Sequence, residues 1–186
     1  SSDHPEIVSV NEVTGEVTAI SLGTAVIPAD VTLQGITRSG KTTVVVTTAK
    51  DAYRTHSMGK ADKIEGPAYD VWGDGEWGFG NAKNGLILAY FNMDFAISPQ
   101  TKMLISVKSG VSTEYSGGRI EIYLDNKYGQ LLGSVTIPET DSSFAMRQGS
   151  DIEITPVTGV HDIYFVFVGT KTNHQQTLGN FESFTF

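Results

Sequence analysis

The sequence predicts an all-β protein in two parts, and three observations carry that prediction. Val, Ile and Thr gather in short runs; Gly, Asn, Ser and Pro punctuate the gaps; and no window of about eleven residues keeps a helical period. The pattern is clearest from Gly118 to Pro138, GRIEIYLDNKYGQLLGSVTIP. Ile120, Ile122 and Leu124 alternate with Arg119, Glu121 and Tyr123, the period of a strand with one face in a core. Asp125–Gly129 supplies turn residues, because Asn and Gly tolerate positive φ and Asp bonds its own backbone. Leu131 to Ile137 returns as the partner strand and stops at Pro138, which cannot donate to a ladder.

Composition sets the bounds. The 186 residues give room for one large or two small domains. With 39% hydrophobic and 18% charged residues, the chain is neither disordered nor a membrane protein, and no apolar run approaches the ~20 residues that span a bilayer. No basic region followed by an apolar core opens the sequence, so a signal peptide is not expected in the residues present. The net charge of −8 argues against nucleic acid, which needs clustered Lys and Arg. It suits a soluble protein with a neutral or weakly polar ligand, and the chain is expected to be a monomer. Without cysteine there is neither disulfide nor thiolate chemistry.

The first fifty residues read as four short strands, Ile7–Val10, Glu16–Ile20, Thr24–Val31 and Thr42–Thr48, with Asn11–Gly15 as a hairpin connection. The placing of Val8, Gly15, Val17, Gly23 and Ala25 resembles the second half of a bacterial Ig-like domain of group 2. Such a sandwich needs ~80–100 residues, so 1–50 is expected to be a partial module without chemistry of its own. Gly35-Ile36-Thr37-Arg38-Ser39-Gly40-Lys41-Thr42 satisfies the P-loop expression, but a phosphate cradle needs a helix after it. The β-branched run Thr43–Thr48 predicts a strand there, hence a plain hairpin and no nucleotide site.

Residues 51–62, DAYRTHSMGKAD, are polar and aperiodic and read as a linker into the second domain, 51–186. Strands are then expected at Leu86–Asp94, Lys102–Lys108, the Gly118–Pro138 hairpin, Phe144–Ile154, Val160–Val168 and Phe181–Phe186. Closely spaced strands without helices predict a β-sandwich, most simply a jelly roll. Leu104, Ile105, Ile120, Ile122, Val135, Phe165 and Phe167 would fill the space between its sheets.

Five stretches of this second part resemble the family 6 carbohydrate-binding modules. Ile64–Asp70 is similar to the family's opening "IEAEDYD", and Asn84-Gly85 with Tyr90 to "NGDWIEY". The central hairpin is similar to "GRIEIRLDSPTGPLLGTVTVP", Gly159–Phe167 to "GTHDLYLVF", and Asn180–Phe186 to "NFNWFQF". The resemblance implies a galactose-binding-like jelly roll that binds β-linked glycan, xylan-like or β-glucan-like, without cleaving it. It also implies a secreted bacterial parent enzyme whose glycoside hydrolase domain is the partner in the same chain.

A pyranose offers apolar faces to flat rings and a rim of hydroxyls to amides and carboxylates. In the family's usual site two aromatic rings sandwich a sugar and an Asn anchors it. Asn180 stands at the Asn position and Phe144 within one residue of the second ring; Asn81 replaces the first. Trp72 and Trp77, in DVWGDGEWGFG, are the candidates to supply the missing ring, while Phe79 is expected to be core. The resemblance further implies a structural calcium at Glu65 and Glu182, although Pro67 replaces a carboxylate of the usual set. Catalysis is not expected. Asp70, Asp74, Glu76 and Glu182 could offer a carboxylate pair, but nothing in their spacing requires one. His4, His56, His161 and His174 lack the spacing of metal ligands or a nucleophile's base. The alternative reading is a docking module whose sugar cleft has decayed at Asn81 and which packs on the catalytic domain.

Overall fold

The computed structural model describes residues 1–67, 69–71, 73–97, 99–108, 118–137, 146–148, 152–170 and 177–186. The chain divides into two compact units, Ser1–Thr48 and Ala49–Phe186.

The first unit is two antiparallel hairpins. One pairs β1 (Val8–Val10) with β2 (Val17–Ala19); the other pairs β3 (Gly23–Leu33) with β4 (Ile36–Val46). The Asn11 side chain accepts from the amides of Val13 and Thr14, and its backbone N–H from the first hairpin meets the Glu16 carbonyl at 2.8 Å. Gln34 and Gly35 join β3 to β4 with φ of 51° and 77°, the left-handed pair that a two-residue hairpin turn requires. The phosphate-loop look-alike therefore opens in that turn and runs along β4 as strand, with no helix after it. Val8, Ala25 and Ile27 form a small core with Ile7, Val10, Val44 and Val46 against it. Beyond it the same face of β3 and β4 continues through Val31, Leu33 and Ile36, all exposed.

The second unit is a two-sheet β-sandwich. Its strands are β5 (Lys50–Asp51), β6 (His56–Ser57), β7 (Lys63–Glu65), β8 (Asp70–Val71), β9 (Phe79–Ala82), β10 (Ile87–Asp94), β11 (Lys102–Lys108), β12 (Gly118–Leu124), β13 (Gln130–Thr136), β14 (Met146–Gln148), β15 (Ile152–Glu153), β16 (Val160–Gly169) and β17 (Gly179–Thr185). One sheet runs β13-β12-β16-β10, with β5 and β7 sharing the far edge of β10. The other runs β14-β11-β17-β9-β8, with β15 beside β11 and β6 beside β17. The central hairpin is where the sequence places it, β12 against β13, closed by a turn in which Asp125 has φ 63°.

Residues 51–62 are not a linker. β5 and β6 add edge strands to opposite sheets, Ala52 and Met58 are fully buried, and a 3-10 turn at Met58–Lys60 is capped by Ser57. Their polarity misled because short edge strands need apolar residues at only one or two positions. Ile105, Ile120, Ile122, Phe165 and Phe167 are buried as expected. Leu104 and Val135 are only partly buried, and beside Leu104 the inward places go to Met103 and Ile105. The expected Phe144–Ile154 strand appears as β14 and β15, both paired with β11; the stretches 138–145 and 149–151 lie outside the described residues.

Aromatic rings fill the space between the sheets. Phe79, Phe167 and Phe181 form one group, with centroids 5.1–5.6 Å apart. Tyr90, Phe165 and Phe184 form another at 4.7–5.6 Å, extended through Phe186 to Phe95. Phe181 and Phe184 both point inward although they are three positions apart, because Glu182 is an extra residue in β17 relative to β11. Truncating Phe184→Ala removes a ring that touches both sheets and should cost about 3–5 kcal/mol. Both tryptophans belong to this unit, so their emission during urea unfolding of the whole chain reads it selectively. A loss below about 1 kcal/mol would refute the role given to this ring.

Candidate functional site

The site is built on an irregularity between β9 and β17. Gly179 pairs with Ala82 and Phe181 with Phe79, so Gly80 and Asn81 together face the single residue Asn180. This is a β-bulge, and Asn81 takes the left-handed conformation it demands, φ 60°. Bulging turns the Asn81 N–H out of the ladder, and the Asn180 side-chain oxygen accepts it at 3.1 Å. A backbone N–H can only be met by an acceptor, so Oδ1 faces the bulge and the Nδ2 amide is left to present its two donors. The Asn81 side chain points elsewhere: its Nδ2 donates to Asp70 Oδ2 at 3.2 Å. Asp70 is held there because β8 pairs it with Gly80.

Immediately before β9 in the chain, residues 73–78 carry Trp77, 67% exposed. The loop is pinned by backbone packed directly on backbone. A β-carbon on Gly78 would lie 2.1 Å from the Phe181 carbonyl oxygen, and one on Gly75 would lie 2.4 Å from that of Gly59. The Ser57 hydroxyl donates to the Gly75 carbonyl, and Glu76 pairs with Lys60 at 3.0 Å. The indole of Trp77 lies over Gly73, where a β-carbon would come 2.7 Å from the ring. A large ring is thus fixed in place and open to solvent, which is what a stacking platform requires. Phe79, by contrast, is buried between Phe167 and Phe181.

Of the residues singled out from sequence, Asn81 and Asn180 meet directly across 99 positions. Trp77 stands exposed on the loop leading into β9, the strand that carries Asn81. Trp72 and Phe144 lie outside the described residues. From sequence Asp70 enters only as one of a possible catalytic carboxylate pair, not for the sugar site, and the pairing of β8 with β9 brings its carboxylate to Asn81.

The two carboxylates that the resemblance marks for calcium lie on different sheets. Glu65 ends β7 in one sheet and Glu182 is the bulged residue of β17 in the other. The Glu65 carboxylate is taken by Lys63 at 2.5 Å and Lys127 at 2.9 Å, cations where a calcium site would gather oxygens. Hydrogen bonds from Lys63 and then Lys127 hold its pKa down at about 2. Among the described residues no three acidic or histidine side chains converge as a metal site would need. The described histidines have structural neighbours: His161 bonds Asp125 and the Thr158 carbonyl, His56 stacks on Phe184, and His4 pairs with Glu6.

A family model described as "Carbohydrate binding module (family 6)" matches residues 51–186. An arabinoxylan arabinofuranohydrolase of Bacillus subtilis (strain 168) is 33% identical over 104 residues, 56% of this chain and 18% of that protein. Endo-1,4-beta-xylanase A of Thermoclostridium stercorarium is 30% identical over 122 residues, 64% of this chain and 18% of that protein. The chain spans less than a fifth of the length of these two relatives. Among solved structures, a family 6 module from Clostridium cellulolyticum in complex with xylose superposes with a TM-score of 0.61 at 28% identity, covering 74% of this chain and 98% of that one. A β-1,3-glucan-binding family 6 module from Bacillus halodurans gives a TM-score of 0.61 at 25% identity with the same coverages.

Two outcomes follow for Glu65. Because its folded pKa is depressed, its contribution is present above the ordinary carboxylate value of 4.5 and is lost as pH falls toward about 2. Melting temperatures between pH 5 and pH 2 should therefore fall less steeply for Glu65→Gln than for the native protein; parallel curves would contradict the ion-pair assignment. Since Glu65 is committed to lysines, millimolar calcium or a chelator should leave the melting temperature unchanged within about 1 °C, whereas a calcium-dependent rise of several degrees would show that the carboxylate exchanges partners.

Proposed function

Because the chain belongs to the family 6 carbohydrate-binding modules, whose members are non-catalytic and appended to glycoside hydrolases, we propose that its second unit binds a β-linked glycan at Asn180, with Trp77 as the stacking ring. The observation that carries the reading is the Asn180 amide. Its oxygen is spent on the bulge, so its Nδ2 amide keeps two donors suited to the hydroxyl rim of a sugar. Phe144 and Trp72 belong to the same proposal as further rings. Relatives named for arabinoxylan and xylan, and structures titled for xylose and β-1,3-glucan, make xylan-like and β-glucan-like chains the first ligands to try. The parent is proposed to be an extracellular bacterial polysaccharide-degrading enzyme, with its glycoside hydrolase domain in the same chain and the module acting as a monomer. Residues 1–50 are proposed to be part of a group 2 Ig-like spacer; their two antiparallel hairpins and valine-rich strands support that reading.

One observation favours the docking alternative. Asn81 supplies no ring at the position where the family stacks one, and its side chain is tied to Asp70. Losing one stacking face costs about 1–2 kcal/mol, near tenfold in affinity, which weakens a cleft without abolishing it.

Affinity electrophoresis with soluble xylan, β-glucan, agar and mannan tests the proposal, with retardation expected in xylan or β-glucan. A lack of retardation in all four would rule out the binding reading. Trp77→Ala should weaken binding about tenfold. Asn180→Asp keeps the bulge acceptor but exchanges two donors for a carboxylate oxygen. It should fold normally and lose most of the retardation; unchanged binding would remove Asn180 from the site.

A further inference from the structure

We propose that Asp70 is a positioning residue of the sugar cleft, acting on the Asn180 amide through Asn81. The inference rests on the binding reading given above and goes one step behind it. Three hydrogen-bonding groups stand in series. Asp70 Oδ2 accepts from Asn81 Nδ2 at 3.2 Å, and the Asn81 backbone N–H donates to Asn180 Oδ1 at 3.1 Å. The middle member is the vulnerable one. Asn81 sits in the left-handed region at φ 60°, is exposed, and carries an amide that can donate or accept. Released from Asp70, that amide is free to compete for the Asn180 side chain or to swing across the cleft. Held by Asp70, it is turned away, its N–H stays aimed at Asn180 Oδ1, and the Asn180 donors keep one orientation.

The chain supplies an internal comparison. Between β10 and β16, Phe91 and Asn92 face the single residue Asp162, Asn92 has φ 56°, and its N–H meets Asp162 Oδ1 at 3.0 Å. This second bulge has the same backbone lock. Among the described residues, only the bulge at Asn81 has a carboxylate holding the side chain of the left-handed Asn as well. The lock itself therefore does not need such a carboxylate, which leaves control of the Asn81 side chain as what Asp70 adds.

A double-mutant cycle on the full chain tests this, read by glycan affinity and by amide hydrogen exchange at Asn81 in the unliganded protein. Asp70→Ala should weaken binding about fivefold and speed exchange at Asn81, with the melting temperature nearly unchanged. Asp70→Asn keeps an oxygen for Asn81 Nδ2 and should return affinity to within about twofold. In an Asn81→Gly background, where φ is unstrained and no side chain remains to restrain, Asp70→Ala should have no further effect. If it weakens binding equally in both backgrounds, Asp70 touches the sugar directly and the proposal is overturned. It is overturned too if Asp70→Ala changes nothing, or if Asp70→Asn fails to rescue. Should the native protein bind none of the glycans, the binding reading fails by itself, and exchange at Asn81 alone decides: acceleration in Asp70→Ala supports the relay, and an unchanged rate refutes it.

Discussion

The sandwich depends on the aromatic contact between β16 and β17. These two strands lie at the middle of opposite sheets, and between them they contribute Phe165, Phe167, Phe181 and Phe184. Edge-to-face and offset packing of such rings adds directional preference to the area they bury, so they fix how one sheet sits on the other. Every feature of the candidate site is referred to that contact. Phe181 anchors the strand on which Asn180 rides, and Phe79, stacked on Phe181, anchors the strand that carries Asn81.

Alternation and turn chemistry made much of the fold legible in the sequence. β11, β12, β13 and β16 fall within a residue or two of where period-2 patterning places them, because each has one face in a single core. The segment 51–62 did not yield to that reasoning. Its edge strands owe their conformation to partners on β10 and β17, and nothing within a twelve-residue polar stretch reports a neighbour more than a hundred positions away. The same limit governs the site. Asn180 could be marked by resemblance to a family motif, and Trp77 by its polar surroundings, but the bulge that joins Asn180 to Asn81 is a property of register. Glu65 shows the converse. A carboxylate in a motif associated with calcium is engaged instead by Lys127, a turn residue of the central hairpin that brings its charge from across the sheet.

β-Bulges recur wherever this unit departs from regular pairing. Glu182 in β17, Asn81 in β9, Asn92 in β10 and Leu132 in β13 each add one residue to a strand. The first shifts the inward parity of β17 so that three phenylalanines reach the core. The second releases a backbone N–H for Asn180. On β17 strong burial and a specialised polar corner coexist because Glu182 falls between the buried phenylalanines rather than on one of them.

The clasp of Gly59, Gly75 and Gly78 divides the labour along the loop in an unusual way. Positions where main chain rests on main chain admit no side chain, so they can hold shape but cannot contribute recognition. Position 77 is the reverse, since its ring rests on Gly73 and faces solvent. The loop therefore behaves as a socket with one exchangeable fitting. Other planar side chains at that single position would change the exposed face at constant backbone, so a library confined to it would test the proposed stacking role without sampling misfolding.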